Sequence, residues 1–193
     1  MNTGAKSASM PRQDDGAGRI DIETIRQHAR QDIESGAVTP GYEGNPETVV
    51  RLLNEALATE IVCTLRYRRH YFMAKGIHSE SVAAEFLEHA TQEAEHADQL
   101  AERIVQLGGA PDFNPQTLVE RSHAEYVEGD GLLSMIKENL IAERIAIESY
   151  RAIVHMLGDK DSTTRRLLEG ILATEEEHAE DLSSLMAGMD RMN

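Results

Sequence analysis

Residues 92–104 read QEAEHADQLAERI and residues 173–182 read ATEEEHAEDL, so the pattern Glu-x-Glu-His-Ala-acid-x-Leu occurs twice, from Glu93 to Leu100 and from Glu175 to Leu182. Around each copy the apolar positions recur at steps of three and four. Val82, Phe86, His89, Glu93, His96, Leu100 and Leu107 form one stripe, and Leu168, Ile171, Glu175, His178, Leu182 and Leu185 form another, the period of amphipathic helices. Upstream of each lies a partner stripe: Val49, Leu53, Ala56, Glu60, Cys63, Tyr67, His70 and Ala74, then Leu132, Ile136, Leu140, Glu143, Ile147, Tyr150, Val154 and Leu157. Glu60 precedes Glu93 by 33 residues and Glu143 precedes Glu175 by 32, and Tyr67 and Tyr150 each follow their glutamate by seven. One helical hairpin is therefore duplicated, and a site built from it has approximate two-fold symmetry.

The breaks between stripes set the wiring. Gly76 and Gly108-Gly109 stop the first two helices, and the few residues between them make these helices antiparallel neighbours. Residues 108–130, GGAPDFNPQTLVERSHAEYVEGD, form a long connection that reaches the length of a bundle, with room for a short helix over Thr117 to Tyr126. Gly158 ends the third helix and Asp161 or Ser162 caps the fourth. The expectation is an all-α four-helix bundle over residues 46–190 with one long crossover. Ahead of it, residues 19–45 hold a short amphipathic helix through Ile22, Ile25, Ala29 and Ile33 and a turn at GYEGNP, and residues 1–18 read as a disordered tail. The apolar face of that first helix must be covered, by the bundle or by a neighbour.

Composition narrows the function classes. At 193 residues the chain suits one domain, and 19 Lys and Arg against 34 Asp and Glu give a net charge of −15. Such a chain is repelled by phosphate backbones, and the tail's Lys6, Arg12 and Arg19 against Asp14 and Asp15 make a weak tether at best, so DNA binding is not expected. No apolar run approaches the roughly 18 to 20 residues of a membrane span. Cys63 is the single cysteine and the first residues lack the apolar core of a secretory signal, which points to the cytoplasm.

Six residues on the apolar faces do not belong in an ordinary core: Glu60, Glu93, His96, Glu143, Glu175 and His178. A buried carboxylate costs several kcal/mol unless paired or metal-bound, so six such groups at one depth imply a shared partner. A lone Glu-x-x-His is weak evidence, since about one match arises by chance in a chain of this composition. A third match, Glu120 and His123, lies in the crossover without an upstream glutamate in register and reads as a solvated pair. Glu and His three apart share a helix face and can bind one metal, while further carboxylates bridge to a second. Four carboxylates match the charge of two divalent ions, and oxygen donors with two imidazoles suit iron or manganese better than structural zinc.

These stretches, with ATEIVCTLRY at 58–67 and AERIAIESY at 142–150, resemble the bacterioferritin branch of the ferritin-like superfamily and more loosely the Dps-like mini-ferritins, over about residues 46–186. The resemblance implies two iron ions per subunit held by Glu60, Glu93, His96, Glu143, Glu175 and His178, with Tyr67 beside them. Bridging and terminal roles are exchangeable on sequence alone; by analogy Glu93 and Glu175 bridge and Glu60 and Glu143 are terminal. Three positions depart from the pattern. Ala94 stands where bacterioferritins carry their haem-ligating methionine, so haem at the usual site is not expected. Gln92 and Thr174 replace the aspartates that often orient the histidines, and 15 residues after His178 leave no room for the fifth helix of the larger cage. The implied function is ferroxidase and iron storage, with ferrous iron oxidised by oxygen or hydrogen peroxide and mineralised inside a homo-oligomer, a hollow dodecamer. A non-storing di-iron oxidase or peroxidase of erythrin type and a DNA-protecting shell are the alternatives.

The other residues have plainer readings. Cys63 fills a helix interface; His70, His89 and His155 are core-edge or satisfied histidines rather than ligands; His28, His78 and His123 are solvated; Met135, Met156, Met186 and Met189 pack. The hydroxyls of Tyr67 and Tyr150 bond buried carboxylates.

Overall fold

The computed structural model describes residues 20–76 and 79–190. Among these there are helices and turns and no strand. The tail expected at 1–18, including Lys6 and Arg12, lies outside the described residues, as do Arg19 and His78. In chain order the α-helices are α1 (Ile22–His28), α2 (Pro46–Met73), α3 (Ser79–Gln106), α4 (Leu118–Arg121), α5 (Leu132–Leu157) and α6 (Ser162–Asp190). The four long helices span about 40 Å each at 1.5 Å per residue. α2 packs along α3 and α5 along α6, and the two hairpins meet face to face.

Local sequence sets the ends. Asn45 caps α2 by accepting from the Thr48 amide (2.9 Å), with Pro46 in the first turn. Gly158, at φ +53°, closes α5. A side chain at Gly109 would meet Val50 at 2.6 Å, so the chain can leave α3 this close to α2 only with glycine there. Asp161 caps α6 through the Thr164 amide (2.9 Å) and also accepts from Arg103 of α3 (3.1 and 3.2 Å) and the Tyr42 hydroxyl (2.8 Å). One buried carboxylate thereby ties both hairpins to the segment ahead of α2.

The crossover runs along α2 from Asn54 to His70. Asn54 bonds Ala110 and Asp112 near one end, the His123 amide donates to Thr59 midway, Arg66 donates to the Glu125 carbonyl (2.9 Å), and His70 meets the Val127 and Glu128 carbonyls near the other. These bonds explain why α4 is four residues rather than the ten expected: from Ser122 the backbone is extended and spends its polar groups on α2 instead of on a helix ladder. Two core layers, around Leu53, Leu57, Leu100 and Ile153 and around Phe86, Ile136 and Leu182, sit on either side of a polar middle. Met135 is buried, but Met156 is exposed, a correction to its reading as packing. α1 ends at His28, short of the Ala29 and Ile33 expected on it, and its Ile22 and Ile25 are exposed, so the bundle does not cover its apolar face.

Candidate metal centre

The polar middle is where the duplicated motif converges. α2 brings Glu60, α3 Glu93 and His96, α5 Glu143, and α6 Glu175 and His178; none is more than 5 % exposed. They form two groups, Glu60–Glu93–His96–Glu175 and Glu93–Glu143–Glu175–His178, each with its ligand atoms within 4.8 Å of one another. His96 Nδ1 faces Glu175 Oε1 (2.9 Å), Glu60 Oε2 (3.4 Å) and Glu93 Oε2 (3.5 Å). His178 Nδ1 faces Glu175 Oε2 (3.4 Å), Glu93 Oε1 (3.6 Å) and Glu143 Oε2 (3.9 Å). Glu93 and Glu175 thus give one oxygen to each half, while Glu60 and Glu143 each serve one half.

The second oxygens of Glu60 and Glu143 are held from the opposite hairpin. Tyr67 on α2 donates to Glu143 Oε1, and Tyr150 on α5 donates to Glu60 Oε1. The inner atoms have no such partner. Glu60 Oε2, Glu93 Oε1, His96 Nδ1, Glu143 Oε2, both oxygens of Glu175 and His178 Nδ1 are buried without a hydrogen bond of acceptable geometry, short as some contacts are. Polar atoms orphaned together in a core are rare, and these are the donor atoms a cation would take. The donor set therefore fits metal binding.

Electrostatics agree. Burial, with Glu93 adding to it, pushes Glu60 well above the usual carboxylate range. Burial and then Glu60 raise Glu175 to about 8. Burial disfavours charge on His96, but Glu175, Glu60 and Glu93 outweigh it and push the ring up to about 12; Glu143, Glu175 and Glu93 do the same to His178.

Several residues around the cluster were missed or misjudged from sequence. Gln92, one residue before the motif, accepts from His178 Nε2 across the hairpins (2.7 Å), which fixes Nδ1 as the inward nitrogen. Its counterpart Thr174 turns back to the Gly170 carbonyl (3.5 Å) and orients no histidine. His89, expected as a core-edge or satisfied histidine, is buried, stacks its ring on His178 at 3.9 Å and has its Nδ1 3.2 Å from the Tyr67 hydroxyl. Its place one turn before Glu93 on the same stripe was the available signal. Arg66, fully buried, donates to Asn139 (2.9 Å) and lies 3.5 Å from Cys63 Sγ. Burial pushes the Cys63 thiol up, and Cys63 joins none of the metal-competent groups found among the described residues. His155, His123 and Glu120 are exposed, and His28 is half-buried.

A family model for the ferritin-like domain matches residues 50–192. The chain is 34% identical over 141 residues to the nutrient stress-induced DNA-binding protein of a Synechococcus strain, covering 70% of this chain and 78% of that protein. It is 29% identical over 157 residues to bacterioferritin BfrA of Mycobacterium tuberculosis, covering 78% of this chain and 90% of the other. Among solved structures, a bacterioferritin-related protein of Bacteroides fragilis, described as a dodecameric thioferritin, superposes with a TM-score of 0.75 at 32% identity, covering 78% of this chain and 90% of that one.

Proposed function

The chain belongs to the ferritin-like family, with bacterioferritin and Dps features, and on that premise we propose that it oxidises ferrous iron at a pair of sites within each bundle and stores the product in a hollow homo-oligomer in the cytoplasm. The observation that carries this reading is the set of seven orphaned donor atoms on Glu60, Glu93, His96, Glu143, Glu175 and His178. Glu93 and Glu175, each with an oxygen in both halves, would be shared between two ions, and Glu60 with His96 and Glu143 with His178 would hold one each. Two ferrous ions held side by side supply two electrons to one oxidant, oxygen or hydrogen peroxide. The chain's own residues set the stage for this. Tyr67 and Tyr150 stop the terminal glutamates from swinging, Gln92 fixes one histidine, and the apolar layers on either side exclude water.

A dodecamer is the assembly we propose, supported by the likeness to the Bacteroides fragilis protein described as dodecameric. The net charge of −15 favours cation capture and weighs against DNA protection, whatever the name of the Synechococcus relative. Light scattering with iron loading is the test. A mass near twelve chains that retains iron after oxidation is expected, and a small assembly that turns over without retaining iron rejects storage. Replacing Glu93 by Ala should abolish oxidation with the helical fold kept, while Glu120→Ala, in the exposed crossover, should leave the rate unchanged. Equal rates for wild type and Glu93→Ala reject the site.

A further inference from the structure

His89 belongs to two clusters at once. With Glu143 and His178 its ligand atoms lie within 4.8 Å of one another, and so they do with Glu85 and Asp181 on the other side. Its Nε2 faces Glu85 Oε1 at 3.3 Å and Asp181 Oδ2 at 3.9 Å. The Glu85 and Asp181 side chains are 30 % and 46 % exposed, whereas His89 is 1 % exposed, so the trio runs from the surface into the core. A cleft of about 370 Å³ between α3 and α6 opens onto the two carboxylates.

The proton inventory shows what the trio lacks. The Tyr67 hydroxyl has one proton and gives it to Glu143, so its contact with His89 Nδ1 is a hydrogen bond only if Nδ1 carries the hydrogen and donates. A neutral ring in that tautomer leaves a bare lone pair on Nε2, aimed at two carboxylates. An imidazole nitrogen and two carboxylate oxygens converging on one point, one of the three residues buried and two reachable from solvent, are a donor set that a divalent cation takes.

We propose that Glu85, His89 and Asp181 form a third metal site, for a divalent cation with mixed nitrogen and oxygen ligands, through which ions pass on their way into the bundle. One nitrogen and two carboxylates suit Fe(II), Mn(II), Co(II) or Zn(II) rather than calcium. The binding site stands on its own geometry; its role as a route rests on the paired centre proposed above. The ring whose Nε2 faces Glu85 and Asp181 is the one that stacks on His178 at 3.9 Å, so the trio adjoins the paired centre directly.

The full-length protein is loaded with Co(II) and its anomalous scattering measured, for wild type, for Glu85→Gln/Asp181→Asn and for Glu95→Gln, an exposed acid on the same helix. Three Co(II) per chain are expected in wild type and Glu95→Gln. The double variant should lose the third ion alone, and its oxidation rate should fall at limiting Fe(II) but not at saturating Fe(II). Two ions in the paired centre and none at the trio overturn this proposal and spare the paired centre. An ion at the trio with none in the bundle supports the third site and rejects the paired centre. No ion at either rejects both, and a rate lowered equally at all Fe(II) concentrations rejects the route.

Discussion

Tyr67 on α2 donates its hydroxyl hydrogen bond to Glu143 on α5, joining the two hairpins at the depth of the metal-competent cluster. Tyr150 and Glu60 repeat the bond in mirror fashion. The duplication seen in the sequence is therefore interlocked: each repeat orients the glutamate of the other. Replacing either tyrosine by Phe leaves a buried carboxylate oxygen without its donor, which costs about 1–3 kcal/mol. It should also weaken metal binding about 10- to 100-fold, the usual effect of losing an outer partner. Calorimetric titration with Co(II) on Tyr67→Phe and Tyr150→Phe measures this, and unchanged affinity in both would show that the tyrosines merely pack.

Gln92 and Thr174 occupy equivalent positions in the repeat but do different things. Gln92 holds His178, and Thr174 holds only its own helix. Gln92→Ala should slow iron oxidation roughly 10- to 100-fold, and Thr174→Ala should change it by less than about twofold. Comparable losses in the two variants would mean that the asymmetry has no functional weight.

How far the sequence could be read follows from this contrast. Helices, hairpins and the six inward residues were legible because burial repeats at 3.6 residues, and a carboxylate or imidazole on an apolar stripe stands out. The line along α2 taken by the crossover was not. It depends on tertiary bonds from Asn54, Thr59, Arg66 and His70, and nothing periodic marks a side chain that bonds a distant carbonyl. Arg66 falls off the apolar stripe of α2, and nothing in the spacing marks it as buried. Gln92 looked like a lost aspartate, since an amide oxygen that reaches across to another helix leaves no trace in spacing.

Asp161 tests the mechanical end of the bundle. Burial opposes its charge, but the Thr164 hydroxyl and amide, then Tyr42 and Arg103, hold its carboxyl below the ordinary value. A depressed carboxyl contributes stability that is complete above the unfolded value, about pH 4, and is lost as pH falls through the folded one. Asp161→Asn keeps an acceptor for the α6 cap yet leaves Arg103 facing a neutral group, at a cost of about 3 kcal/mol. Urea unfolding followed as a function of pH should show the wild-type advantage at neutral pH shrinking below about pH 4. A constant gap between the two proteins across that range would show that the ion pair contributes nothing.

Metal loading should release protons, and the number is fixed by the cluster. With His96 and His178 pushed up to about 12, both rings carry a proton at neutral pH in the metal-free chain. A cation needs the Nδ1 lone pairs that face the carboxylates, and with Gln92 accepting from His178 Nε2 that ring must lose its inner proton. Glu175, held up to about 8, adds to the release. Raised histidines stabilise the metal-free fold below their unfolded value of about 6.5, and that contribution fades only as pH climbs toward the folded value. Protons and metal therefore compete for one site: the apparent affinity for two ions rises with pH, by about a hundredfold per unit where two protons are displaced. Anaerobic Fe(II) addition in a pH-stat at pH 7 should release at least about two protons per chain, and an excess of metal at 100 times its Kd should add about 2.7 kcal/mol of stability. Binding without proton release would mean that the ions bypass His96 and His178, and the paired centre would fall with it.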